Sequence, residues 1–336
     1  MSGYVGRLAP SPTGALHLGN VRTFMIAWLR ARSQHGKVIM RMEDLDHPKD
    51  KPGAAAQAIE DLRWLGFDWD EEYVQSERKP IYREAIGRLL GSSIRTPDNS
   101  NPRTPLIYPC VCSRKDVESA QSAPHAGDQL YYPGTCRDRF SSWQEAQAFK
   151  CSCSPFPVPN SPSPCWRFRV PDNCTVSFTD VFAGPYTQNI STTLGDFPLA
   201  RDEGGAGYTL AATLDDLLMG VTEVVRGDDL LPATPAQILL SETLTSVLPL
   251  PLSTTAIAYC HVPLVVGPDG RRLAKRHGDT RISFYREQGR TPGSILGFLA
   301  ASCGWCAPGA SVSLAELLPR FTLSTIPHAP FVVVAP

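Results

Sequence analysis

Val5-Gly-Arg7-Leu-Ala9-Pro-Ser11-Pro-Thr13-Gly-Ala-Leu-His17-Leu-Gly19-Asn20, with the residues that follow as far as Met42, decides the fold. Residues 4–8 read as a short strand and residues 10–20 as a turn-rich loop. Val21, Phe24, Met25 and Trp28 recur at i, i+3, i+4 and i+7, which predicts a helix through Ser33 with one buried face. Lys37-Val-Ile-Met-Arg-Met42 is a second strand and ends at Glu43-Asp44. Strand, loop, helix and strand within about 40 residues form the smallest βαβ unit of a parallel sheet.

Outward from this unit, helices are predicted over 54–65, with Gly66 in the stop position, and over 80–90. Past the middle of the chain come a helix over 208–218, a strand over 222–226 leading into Gly227-Asp-Asp, and a helix over 235–244. βα units on both sides of a different middle stretch predict a doubly wound, parallel-sheet α/β domain of Rossmann-like type, split by an insertion. Such sheets bind ligands at the carboxyl ends of their strands, where Glu43, Arg226 and the loop after Leu8 all fall.

The middle differs in composition. Residues 97–171 hold twelve prolines, and residues 110–174 hold seven of the ten cysteines. The run 151–165, Cys-Ser-Cys-Ser-Pro-Phe-Pro-Val-Pro-Asn-Ser-Pro-Ser-Pro-Cys, reads as a surface loop. The expected division is therefore 1–95 for the first half of the catalytic domain and 96–200 for the insertion. Residues 201–260 form the second half, and 261–336 carry a basic loop and a short helical region.

The 336 residues are 42% hydrophobic and 19% charged, as in a globular protein. Lys plus Arg is 32 and Asp plus Glu is 33, a net charge of −1, which excludes a globally basic nucleic-acid coat but not a local basic face. No apolar run approaches the ~18 residues of a membrane helix. Met1-Ser-Gly-Tyr-Val-Gly-Arg7 has no signal-peptide core, so the expected location is the cytoplasm and no membrane partner is expected. Ten cysteines in so long a chain point to metal binding or free thiols rather than a disulfide framework.

Two loops carry chemistry. The first, from Arg7 to Asn20, feeds a helix N-terminus, whose unpaired N–H groups and dipole suit phosphate. Gly14 and Gly19 admit close approach of a ligand, and His17 can donate to phosphate oxygens. The plainer alternative is a Pro-rich loop whose histidine caps the helix. The second is Gly267-Pro-Asp-Gly-Arg-Arg272-Leu-Ala-Lys275-Arg276-His-Gly278. After its tight turn, this basic loop could close over a polyphosphate and stabilise charge on departing pyrophosphate. Its plainer alternative is a solvated hairpin.

Pro10–Gly19, Arg41-Met-Glu-Asp-Leu-Asp46, Tyr208-Thr-Leu-Ala, Gly220-Val-Thr-Glu-Val-Val-Arg-Gly227 and Arg272-Leu-Ala-Lys275-Arg276 occur together and in this order. In that combination the chain resembles the class I glutamyl-tRNA synthetases over residues 5–300. The resemblance implies that His17, Gly19 and Thr13 hold ATP phosphates. It implies that Lys275 stabilises the transition state of adenylate formation, with His17, Gly19 and Lys275 as the catalytic set. It also implies that Arg7, Ala9, Ser11, Glu43, Tyr208 and Arg226 line a glutamate pocket. Arginine can bind carboxylate bidentately, and Glu43 can pair with an ammonium. Four positions depart from the family pattern: Asn20 for histidine, Arg272 and Ala274 in the basic loop, and Ala212 for asparagine.

Only 58 residues follow Gly278, fewer than the ~100–150 of an ordinary domain, so no separate anticodon-binding domain is expected. That likeness is to the short branch of the family, which activates L-glutamate with ATP and Mg²⁺ without tRNA. Those enzymes then transfer the glutamate to queuosine in the anticodon stem-loop of tRNA(Asp). A monomer is expected. The alternatives are a short enzyme that charges the tRNA 3′ end, or a non-catalytic RNA-binding paralogue with a degraded basic loop.

Cys110-Val-Cys112 and Tyr132-Pro-Gly-Thr-Cys136 offer three thiols to a metal. On residue chemistry the fourth ligand is His125 or Tyr132, with histidine the commoner zinc ligand. The resemblance implies Tyr132 and one structural zinc per chain. The plainer alternative is three reduced thiols. Cys151, Cys153, Cys165 and Cys174 could build a second site, but their Pro/Ser-rich setting favours unliganded thiols. Cys303-Gly-Trp-Cys306 has the spacing of a redox pair, but it follows a helix expected to be buried over 295–301 and is read as structural.

Overall fold

In the computed structural model, residues 3–45, 51–94, 104–120, 130–152, 164–201, 205–249, 256–271, 273 and 279–333 are described. The N-terminal run is β1 (Val5–Leu8), α1 (Leu18–Ser33), β2 (Lys37–Met42), α2 (Ala54–Trp64), β3 (Glu71–Val74) and α3 (Lys79–Leu90). β1 pairs parallel to β2, with Val5 opposite Lys37 and Leu8 opposite Met40. β2 pairs parallel to β3, with Ile39 opposite Glu71. The apolar run Val38 to Met40 is buried, as a central parallel strand covered on both faces requires.

A second parallel ladder joins Glu223–Gly227 to Ala258–Val262 and sets Arg226 opposite His261. It meets the first ladder at β1. The Thr222 N–H donates to the Val5 carbonyl at 2.9 Å, and the Val5 N–H donates to Thr222 Oγ1 at 2.9 Å. The fold is thus the expected α/β arrangement of parallel strands, assembled from segments more than 200 residues apart. Helices Tyr208–Leu218 and Thr234–Val247 pack with α3 in a second apolar core.

α1 differs from its sequence reading. It starts at Leu18, because His17 caps it, and it is enclosed rather than buried on one face. Arg22, Ile26 and Ala31 are buried, whereas Phe24 is only partly so. The physical reason lies in the C-terminal segment. Helices Pro292–Ala301 and Leu314–Leu317 join the same core and pack against α1. Arg22 reaches across this interface, donating to Ser302 Oγ at 2.9 Å and to the Pro263 carbonyl at 2.8 Å. These bonds offset the cost of burying its charge.

The middle stretch is more regular than its composition suggests. Ile107–Cys110, Cys165–Phe168 and Phe197–Ala200 form an antiparallel three-stranded sheet. Thr175–Asp180 and Gly184–Asn189 form a hairpin. Tyr108, Cys110, Tyr132, Cys136 and Phe140 make a small core of their own. Most of the Pro/Ser run, residues 153–163, lies outside the described residues. The apolar end of the chain supplies a strand, Phe331–Val332, parallel to Val265–Val266. Among the described residues, no helix is long and apolar enough to cross a membrane.

Candidate active site

A cleft of about 560 Å³ opens at the carboxyl ends of β1, β2 and Glu223–Gly227. Arg7, Ala9, Ser11, Thr13, His17, Gly19, Glu43, Tyr208 and Arg226 all line it, so nine of the ten residues singled out around phosphate and glutamate share one cavity. The tenth, Lys275, lies outside the described residues, as does Asp46. Leu273, from the same basic loop, is buried and lines the cleft. The chain following that loop docks beside His17: the Leu18 N–H donates to the Thr280 carbonyl at 3.1 Å, and the Ile282 N–H to the Leu16 carbonyl at 2.9 Å.

His17 occupies the N-cap of α1. Its Nδ1 accepts the Gly19 N–H at 3.2 Å, and Asn20 Oδ1 accepts the His17 N–H at 3.1 Å. A ring nitrogen that accepts carries no proton, so the neutral ring holds its proton on Nε2 as a donor. The helix-capping alternative and the phosphate-donor reading thus use different atoms of one ring. Asn20, a departure from the family pattern, closes the capping box. A Cβ at Gly19 would stand 3.1 Å from the His17 ring, so glycine keeps the imidazole against the helix.

Two arginines and two carboxylates interlock beneath the loop. Asp216 Oδ1 accepts from Arg41 Nη1 at 2.6 Å and stands 3.5 Å from Arg7 Nε. Arg41 Nη2 donates to Glu43 Oε1 at 2.9 Å, and Arg7 Nη1 to the Val225 carbonyl at 3.3 Å. Burial pushes the Glu43 carboxyl above its ordinary range, and the positive Arg41 and Arg7 pull it part of the way back. The Glu43 N–H donates to the Pro10 carbonyl at 2.9 Å, tying the β1 loop to the end of β2.

Arg226 stands across the cleft. Its Nε donates to His261 Nε2 at 3.0 Å, its Nη2 to Thr234 Oγ1 at 2.8 Å, and its Nη1 reaches the Tyr208 hydroxyl at 3.5 Å. Reading the residues alone missed Arg41 as a support, and it missed Asp216, Asp180, His261 and Thr234 altogether. Arg41 lay inside a quoted motif. The others carry no local signal, since Asp216 is 175 residues from Arg41 and His261 is 81 from Asp180.

In the insertion, the sulfurs of Cys110, Cys112 and Cys136 lie within 4.8 Å of one another. The Tyr132 hydroxyl is 3.3 Å from Cys110 Sγ and accepts the Cys136 N–H at 2.8 Å. Arg167 Nε donates to Cys110 Sγ at 3.1 Å, and its guanidinium lies 3.8 Å from the centre of the Tyr132 ring. Hydrogen bonds from Cys112, Cys136 and Cys165 push the Cys110 thiol down toward thiolate. The three convergent thiols could hold a metal ion. His125 and Cys153 lie outside the described residues. Cys165 pairs across the sheet with Cys110, whereas Cys174 packs on the other core. Cys303 is buried and Cys306 donates to the Gly297 carbonyl at 3.4 Å; both are free thiols.

Parallel strands, a cleft at their carboxyl ends and a capped helix aimed into it define an α/β domain built for a phosphorylated ligand. Residues 5–316 match the family described as tRNA synthetases class I (E and Q), catalytic domain. The chain is 44% identical over 332 residues to a glutamyl-Q tRNA(Asp) synthetase of Rhodopirellula baltica, covering 94% of this chain and 89% of that protein. To one from Symbiobacterium thermophilum it is 41% identical, covering 97% and 94%. A glutamate–tRNA ligase of Aquifex aeolicus is 38% identical, with 99% of this chain covering 64% of that protein. The crystal structure of a glutamate tRNA ligase from Elizabethkingia meningosepticum in complex with its amino acid superposes with a TM-score of 0.74 at 27% identity, covering 99% of this chain and 67% of that one. The chain belongs to the class I E and Q tRNA synthetases and, within them, to the glutamyl-Q tRNA(Asp) synthetases.

Proposed function

We propose that the protein activates L-glutamate with ATP in this cleft and transfers the glutamyl group to queuosine in the anticodon of tRNA(Asp). The observation that carries this reading is the single cavity in which Arg7, Glu43, Tyr208 and Arg226 face the capped start of α1. A free glutamate brings two carboxylates and an ammonium, which match two arginines and the Glu43 carboxylate. Thr13, His17 and Gly19 hold ATP phosphates, with Mg²⁺ accompanying the nucleotide. The α-carboxylate attacks the α-phosphorus, and pyrophosphate leaves with the electron pair. Lys275 stabilises the charge developing there. A hydroxyl of the queuosine cyclopentene ring then attacks the activated carbonyl, and AMP departs. Ala9 and Ser11 complete the amino-acid pocket. Positioning and charge stabilisation carry both steps without a covalent enzyme intermediate.

In this reading, residues 1–95 and 201–260 form the catalytic domain, 96–200 the insertion, and 261–336 the basic loop with its helical support. The reading takes the protein as a monomer. Cys110, Cys112, Tyr132 and Cys136 would hold one structural zinc, which braces the insertion core. The test is ATP–pyrophosphate exchange without tRNA, with glutamate, glutamine and aspartate in parallel, followed by mass spectrometry of nucleosides from tRNA(Asp). Exchange with glutamate alone, and a glutamylated queuosine, are expected. Exchange that requires tRNA would favour 3′-end charging, and no exchange at all would favour an RNA-binding paralogue.

A further inference from the structure

Arg226 is held from behind by groups that do not belong to the cleft lining. Asp180 ends one strand of the hairpin, and its Oδ1 accepts the N–H groups of Phe182 (3.0 Å), Ala183 (2.8 Å) and His261 (3.0 Å). Its Oδ2 lies 2.6 Å from His261 Nδ1. The carboxylate is therefore fixed by four contacts from two segments, and His261, only 1% exposed, cannot turn away from it. Guanidinium nitrogens only donate. His261 Nε2, 3.0 Å from Arg226 Nε, must accept, so the ring is neutral with its proton on Nδ1 facing Asp180.

The bonds to His261 and Thr234 use Nε and Nη2, one edge of the planar fork. The Nη1 end is then turned toward Tyr208 and the cleft. We propose that His261, clamped by Asp180, is a positioning residue that orients Arg226 for a carboxylate in the cleft by accepting from its Nε. This rests on the proposed role of Arg226 in holding glutamate. The groups facing His261 are Asp180 from the hairpin, Arg226 from the neighbouring strand, Thr234 at the start of the helix Thr234–Val247, Arg7 from β1, and the Tyr259 ring 6.2 Å away on its own strand. Burial and the two arginines outweigh Asp180 and hold the imidazole below its ordinary pKa, so the accepting form persists at neutral pH. Protonation would put a donor against the Arg226 Nε–H and release the guanidinium.

Two substitutions separate positioning from bulk structure. In His261→Gln the amide oxygen can take the place of Nε2 and accept from Arg226. In His261→Asn the amide nitrogen takes the place of Nδ1, keeping the bond to Asp180 but offering Arg226 nothing. In glutamate-dependent exchange, His261→Asn should raise the glutamate KM about tenfold or more, leaving kcat and the ATP KM within about twofold. His261→Gln should recover most of that loss. In the wild type the glutamate KM should rise only once pH falls below the ordinary imidazole range, because the folded ring is held below its usual pKa, and His261→Gln should not show this rise. An unchanged glutamate KM in His261→Asn, or equal losses in kcat and both KM values for both variants, would overturn the proposal. A wild type without exchange would instead sink the glutamate reading. The positioning bond is tested independently by ¹⁵N-histidine NMR of the wild type. His261 should show a protonated Nδ1 and an unprotonated Nε2 at pH 7, and the reverse pattern or a doubly protonated ring would refute the assignment.

Discussion

At the scale of single residues, Asp216 is the group whose loss leaves most uncompensated. It is the buried carboxylate on which Arg41 and Arg7 converge. Asp216→Asn keeps the shape and removes the charge, leaving Glu43 alone against two buried cations. Breaking a buried pair of this kind costs about 3–5 kcal/mol, and an isosteric amide retains part of that, so urea denaturation should show a loss of roughly 2–4 kcal/mol. Arg226→Ala should raise the glutamate KM about 100-fold with a smaller change in kcat, since the proposed charge-assisted contact to the ground-state ligand would be lost. Lys275→Ala should do the opposite, lowering kcat of exchange about 10²-fold or more while KM moves little, as for a group that acts on charge in the transition state. His261 adds a pH dependence of stability. Its pKa is depressed on folding from the ordinary 6.5, so the unfolded chain takes up the proton first. The stability it contributes is complete above about pH 6.5 and declines below it. The difference in thermal midpoint between wild type and His261→Gln should therefore narrow or reverse from pH 7.5 to pH 5.5.

At the scale of elements, the local period and the actual environment part company at α1. The spacing of Val21, Met25 and Trp28 correctly marked a helix, because one covered face is enough to impose that period. Nothing in those residues announced that a second layer would cover Arg22 and Ile26. That layer is Pro292–Ala301, whose N-terminus is capped by Thr291 Oγ1 accepting the Ser294 N–H at 3.2 Å. It comes so close to its neighbour that a Cβ on Gly297 would stand 1.8 Å from the Ala310 carbonyl oxygen. Backbone cannot yield as a flexible side chain does. Gly297→Ala should cost about 2 kcal/mol or more in urea denaturation, while the folded fraction keeps its glutamate KM. The apolar end of the chain likewise has a partner that its own residues do not announce. Its Phe331–Val332 forms a parallel pair with Val265–Val266, directly before the turn into the basic loop.

At the scale of the molecule, the cleft and the cysteine cluster are separate constructions. The cluster holds together a small core that the α/β domain does not share. If the thiols and Tyr132 carry zinc, protein purified without chelators should contain near-stoichiometric metal by elemental analysis. Chelation should lower the thermal midpoint by several degrees, as expected when binding energy is part of folding energy. Less than about half an equivalent would count against the site.

The motifs around His17, Glu43 and Arg226, and the βαβ period that places them at strand ends, could be read from the sequence because each depends on neighbours within a few turns or strand positions. Which side chains support them could not. Arg41 meets Asp216 across 175 residues, Arg7 meets Val225 across 218, and His261 meets Asp180 across 81. Such contacts arise only when the two parallel ladders join at β1, and no local spacing records where a distant chain will pack.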